Sequence, residues 1–78
     1  MKILASPRRL DILAAWYQEG CSNVAAGRRL NLSDQVIRNE LHHLRREEGV
    51  KDNTALVKRY RELIIDRKPR PTVRKKAA

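Results

Sequence analysis

Phenylalanine is absent from this 78-residue chain, and Trp16, Tyr17 and Tyr60 are its only aromatic residues. Its core must therefore be built mainly from Leu, Ile, Val and Ala. Cys21 is the single cysteine, so no internal disulfide can form and no cysteine-based zinc site can be assembled. That usage suits a reducing cytosol. No apolar run approaches the roughly 20 residues of a membrane span, and the start, MKILASPRRL, lacks the apolar centre of a signal peptide. A cytoplasmic protein without a membrane partner is expected. Acidic residues are scarce as well, nine against eighteen Lys and Arg, for a net charge of +9. A chain so short makes one small domain at most. Its basicity points to a polyanion, nucleic acid ahead of an anionic membrane surface.

What is present reads as four helices, about 7–19, 22–30, 33–48 and 53–66, and so as an all-α fold. Ser6-Pro7 starts the first: Ser caps open backbone N–H groups, and Pro at the first helical position loses no bond it needed. Leu10, Leu13, Ala14 and Tyr17 recur at helical spacing, with Ile12 and Trp16 widening the face. Gly20 closes this helix as a left-handed residue. It offers no readout face and is expected to act as a prop. Ser22 caps the second helix, which is short and rich in small residues. Gly27 lowers helix stability by about 1 kcal/mol against Ala, so packing is expected to require it. Arg28 and Arg29 suit the negative end of the helix dipole and can also reach a phosphate.

The centre of the chain is residues 22–50, two helices joined by a tight turn at Asn31, a residue that tolerates the left-handed conformation. Leu32 points inward, and Ser33 caps the third helix with Asp34 in its first turn. Ile37, Leu41 and Leu44 form a buried stripe. Gln35, Arg38, Asn39, His42 and Arg46 fall on another face. Arg can bond guanine bidentately, Asn and Gln can do so with adenine, and Arg also holds phosphates. An ordinary solvated face shows a similar stripe; the turn before it and the net charge favour readout of DNA. Glu48-Gly49-Val50 closes the helix, Val50 folding back as an apolar contact.

Asn53 is read as the cap of the fourth helix, whose apolar face is Leu56, Tyr60, Leu63 and Ile64, widened by Val57 and Ile65. The face either covers the domain's own core or pairs in part with a second subunit. From Arg67 the composition changes: KPRPTVRKKAA has two prolines and no acid, and residues 67–78 carry six basic groups. This is expected to be a flexible basic tail, with the domain ending near residue 66. Residues 1–66 hold twelve basic and nine acidic residues, a net of only +3. Phosphate contacts from the body must then be local, with the tail adding counterion release.

The chain resembles the DNA-binding domain of the LuxR-type (GerE-type) bacterial transcription regulators. SPRRLDIL stands where the family has TPRExEVL, EGCSN where it has EGLSN, and RRLNLS where it has RLGIS. VIRNEL matches TVKNHL, LRREEGVK matches IYRKLGVR, and NTALV matches RTELV. The likeness runs from about Leu4 to Val57 with one extra residue near Gln18. It implies a four-helix helix-turn-helix domain, a homodimer formed through the last helix, and a recognition helix in the major groove of double-stranded DNA at an inverted repeat. The family's contacts fall on Arg38, Asn39 and His42, with Gln35 and Val36 at the start of the helix and Ser33 and Lys51 near the backbone. Arg28 and Arg46 join them from the charge reading, and Leu56, Tyr60, Leu63 and Ile64 are the expected dimer residues. The chain departs from the family at Ala25-Ala26, Val36, Glu40 and Glu48. Val36 suits a thymine methyl, whereas Glu40 repels phosphate unless it accepts from cytosine. Without a receiver or ligand-sensing domain, it reads as a stand-alone bacterial or phage member set by its amount or a partner.

An enzyme is not expected. His42 and His43 are adjacent, about 100° apart on a helix, and share no metal site. Cys21 has no evident base and stands where the family has an apolar residue, so packing is its expected role. No cofactor is implied. The other reading is a helix-turn-helix that binds RNA polymerase or another LuxR-type regulator and modulates it.

Overall fold

Ser6, Ser22 and Ser33 start three helices in the same way: each side-chain oxygen accepts from the backbone N–H three residues on, at Arg9, Ala25 and Val36. The computed structural model describes residues 6–71, and the helices that follow these caps are α1 (Pro7–Gln18), α2 (Asn23–Leu30) and α3 (Asp34–Glu48). A fourth, α4 (Asn53–Ile64), is capped by Asp52, whose carboxylate accepts from Ala55 N–H at 2.9 Å. Asn53, the expected cap, is already helical and its Oδ1 accepts from Arg45 instead. The chain is all-helical among the described residues.

The helices end where the sequence puts its left-handed residues. Gly20, Asn31 and Gly49 have φ of 77°, 59° and 69°. In each case the next residue's N–H reaches back five residues: Cys21 to Trp16, Leu32 to Gly27 and Val50 to Arg45, at 2.8, 2.8 and 3.0 Å. These closures fold Leu32 and Val50 against the core. Cys21 itself is also left-handed, at φ 64°, and exposed, so the packing role expected for it is not what it does.

Five consecutive residues of α1, Ile12 to Trp16, are buried. Successive residues on a helix point about 100° apart, so a run of this kind is covered on every side. Helices α2, α3 and α4 all pack on α1, which is therefore the centre of the domain and more than a prop with one apolar face. The remaining side is closed by residues 67–71. Gln18 Nε2 donates to the carbonyls of Ile64 and Arg67 at 2.8 and 2.7 Å. Arg67 in turn pairs with Asp11 at 2.6 Å and donates to the Pro7 carbonyl, and Pro69 is buried. The first residues assigned to the tail thus belong to the packed body; residues 72–78 lie outside the described residues.

Gly27 is where α2 meets the turn. A Cβ there would lie 2.5 Å from the Leu32 carbonyl oxygen, closer than real contacts allow. The packing requirement expected for this glycine is met by backbone, which cannot move aside as a side chain can.

Candidate nucleic-acid interface

Helix α3 divides cleanly into two sides. Ile37, Leu41 and Leu44 are at most 1% exposed, while Gln35, Arg38, Asn39, His42 and Arg46 all face solvent. Gln35 and Asn39 are one turn apart, and Gln35 Nε2 donates to Asn39 Oδ1 at 3.2 Å. This links the two amides and leaves the Asn39 amide nitrogen and the second lone pair of its oxygen without a partner among the described residues. That is the donor–acceptor pair adenine requires in a major groove. The side chains of Arg38 and Arg46 make no hydrogen bond or ion pair to any described residue, so neither guanidinium is committed within the described part of the domain. The rings of His42 and His43 meet edge-on, 5.9 Å between centroids. His43 is a solvent-facing neighbour of the stripe that spacing alone did not select. Val36 is half-buried at the edge of the stripe.

The acids of α3 are drawn away from this face. Arg9 of α1 reaches across to Glu40, at 3.2 Å, and to Glu47. Hydrogen bonding to Glu47 first, opposed by burial and then reinforced by hydrogen bonding to Glu40 and by the charges of both acids, holds the Arg9 guanidinium above its ordinary range. Glu40 was the residue expected to repel phosphate; it lies on the α1 flank with its charge compensated. Glu48 replaces an apolar residue in the resemblance and is buried like one, its side chain only 1% exposed. Tyr60 Oη donates to one carboxylate oxygen, and Arg59 Nε lies 3.1 Å from the other. Only Asp34 remains exposed on α3 without an ion pair, in the first turn, where the helix dipole favours it.

Two further cations flank α3. Arg28, at the end of α2, is exposed and lines a shallow groove with Val24, Asn31, Leu32, Ser33 and Asp34. Lys51 is exposed just past the other end. The 15 residues of α3 span about 22 Å at 1.5 Å each. Ser33 uses its oxygen as the cap acceptor and keeps its hydroxyl proton for an outside acceptor. Gln35, Arg38, Asn39, His42 and Arg46 thus share the outer side of α3 with Val36 at its margin, and Arg28, Ser33 and Lys51 are exposed near the two ends of that helix.

The expected dimer residues are not brought together as a surface. Leu56, Tyr60 and Ile64 are 0, 5 and 0% exposed within one chain, committed to its own core. Of the four, Leu63 alone is exposed, at 41%. Ile65, expected to widen the apolar face, is also exposed and lies about 160° from Leu63 around α4. No helix among the described residues is long and apolar enough to cross a membrane. No group of three or more His, Cys, Asp and Glu among them is placed to hold a metal ion. Compared with family models, curated proteins and solved structures, the chain matches none.

Proposed function

We propose that this chain is a sequence-specific DNA-binding regulator of transcription that lays α3 in the major groove and acts in the cytoplasm of a bacterium or in a phage-infected cell. The observation that carries the reading is the acid-free stripe of Gln35, Arg38, Asn39, His42 and Arg46 on the outer side of α3, combined with the engagement of Glu40, Glu47 and Glu48 elsewhere. Arg38, Asn39, Gln35 and His42 read base edges, while Arg28, Ser33, Arg46 and Lys51 hold phosphates on either side. The likeness to LuxR-type domains supports the same assignment and adds a homodimer on an inverted repeat. Because Leu56, Tyr60 and Ile64 are internal, such a dimer rests on Leu63 and the polar side of α4, a small interface that two adjacent half-sites hold together.

Selection of bound duplexes from a random pool tests this reading. An enriched palindrome is expected, with Arg38→Ala and Asn39→Ala each weakening the selected site by about 1–3 kcal/mol and relaxing one position of it. Equal binding of all sequences, or no loss in either variant, rejects readout through α3. The second reading, a module that binds RNA polymerase or another regulator, is favoured by one observation: residues 1–66 carry a net charge of only +3. It gains if the pool yields no enrichment.

A further inference from the structure

Gln35 and Asn39 stand one turn apart on α3, so their side chains leave the helix on one face. The bond between them has a direction. Gln35 donates through Nε2 and Asn39 accepts through Oδ1, at 3.2 Å. The carbonyl end of the Asn39 amide is thereby turned toward residue 35 and the start of the helix, and its NH2 end is turned away. Both residues are exposed, so in water this contact competes with solvent. Against a base edge, where water is displaced, it meets less competition.

The direction matters because an A·T pair is told from a T·A pair by the order of groups along its major-groove edge. An asparagine amide matches adenine with its oxygen on N6 and its nitrogen on N7. An amide that turns over exchanges its donor and acceptor ends and so loses that order. Elsewhere in the stripe, Arg38 and Arg46 only donate. Glu40, which has oxygens to accept with, is held by Arg9, and Asp34 leaves the helix about 100° from Gln35. The ordered donor and acceptor of the stripe are therefore those of Asn39, and Gln35 sets their order.

We propose that Gln35 is a positioning residue that orients the Asn39 amide, so that the two side chains select adenine at one base pair as a single unit and do not read two base pairs separately. The proposal rests on the reading of α3 as the helix that contacts DNA, and narrows it. The specificity of Gln35 is exerted through Asn39.

The test starts from the duplex enriched from a random-sequence pool and scores each position by competition with duplexes carrying the other base pairs. Asn39→Ala is expected to erase the preference for A·T at one position. Gln35→Ala should lower the preference for A·T over T·A at that same position by at least about fivefold and leave preferences elsewhere within about twofold. The double variant Gln35→Ala/Asn39→Ala should match Asn39→Ala alone within about twofold, as coupled residues do and independent ones do not. Gln35→Lys, which keeps a donor at this position, should retain most of the preference. Each readout is a ratio within one variant, so a loss of stability or a change in net charge does not produce it. The proposal is overturned if Gln35→Ala and Asn39→Ala relax different positions, if their losses multiply, if the shared position is not A·T, or if Gln35→Lys and Gln35→Ala behave alike. If Arg38→Ala weakens the selected duplex while Gln35→Ala and Asn39→Ala keep every preference, α3 still reads DNA and this proposal alone fails. A pool without enrichment rejects the reading of α3 itself, and the proposal with it.

Discussion

Arg9 holds Glu40 at 3.2 Å across the α1–α3 packing and holds Glu47, one face of α3 two turns on, at the same time. One cation from α1 thus removes two acids from the margin of the cationic stripe. The pair is partly exposed, so its direct contribution to stability is about 1 kcal/mol or less. Its larger effect is on the field at the outer side of α3.

Arg9→Ala should therefore separate stability from binding. Denaturant unfolding is expected to show a loss of no more than about 1 kcal/mol. Fluorescence anisotropy with the selected duplex is expected to show affinity lower by about three- to tenfold, because Glu40 and Glu47 then face the phosphates uncompensated. Adding Glu40→Gln to Arg9→Ala should restore part of the affinity and none of the stability. A binding loss no greater than the stability loss explains would show that the Arg9 pairs only hold α1 to α3.

Gly27→Ala opposes two effects of known size. Alanine improves intrinsic helix propensity by about 1 kcal/mol. Its Cβ, however, meets the Leu32 carbonyl oxygen at 2.5 Å, and forcing extra volume into a packed site typically costs about 1–3 kcal/mol. The obstacle is backbone inside a turn that Asn31 and Ser33 also fix, so the clash should win. Net destabilisation of about 1–2 kcal/mol in urea unfolding is expected; a stabilised variant would mean that the α2–α3 turn shifts freely.

Glu48 gives the opposite expectation from its appearance as part of an ion pair. Its side chain is 1% exposed; Tyr60 donates to Oε2, while Oε1 is ion-paired with half-exposed Arg59 but accepts no hydrogen bond. Burying a carboxylate costs free energy that such partners only offset, and replacing a buried charged group with an apolar one of similar volume is often neutral or stabilising. Glu48→Leu should leave unfolding free energy equal or raised. Tyr60→Phe alone should lower it by about 1–3 kcal/mol, since it strips a donor from a carboxylate that stays buried. The two variants are separable by denaturant titration, and a strongly destabilised Glu48→Leu would mean that the polar pairing organises the α3–α4 junction.

Local signals made most of the fold legible. Ser6, Ser22, Ser33, Asn31 and Gly49 each act through backbone groups within five residues, and the helices fall within two residues of their expected bounds. The solvent-facing stripe followed from spacing along a single helix. What spacing could not supply are contacts made across the chain. Arg9 meets residues 31 and 38 positions away, and the Arg67–Asp11 pair joins residues 56 apart. Hence Glu40 read as a liability and residues 67–71 as the start of a free tail. Asp52 and Asn53 are both competent caps; Asp52 takes the position, and the Asn53 oxygen accepts instead from Arg45, eight residues back. On α4, a single apolar stripe could not reveal how much of it one chain consumes.

That last point can be measured with two leucines. Leu56 is fully buried and Leu63 is 41% exposed, on the same helix. Leu56→Ala opens a cavity in the protomer's own core and should cost about 2–5 kcal/mol of folding stability, enough to unfold a large share of so small a domain. Leu63 is more than half covered by its own chain but not sealed in the core, so Leu63→Ser should cost about 0.5–1.5 kcal/mol of folding stability, well short of Leu56→Ala. If two copies pair through α4, sedimentation of Leu63→Ser should show a weaker dimer, and its binding to an inverted repeat should lose cooperativity while a half-site is bound as before. An unaltered dimer in Leu63→Ser would place the subunit contact away from α4.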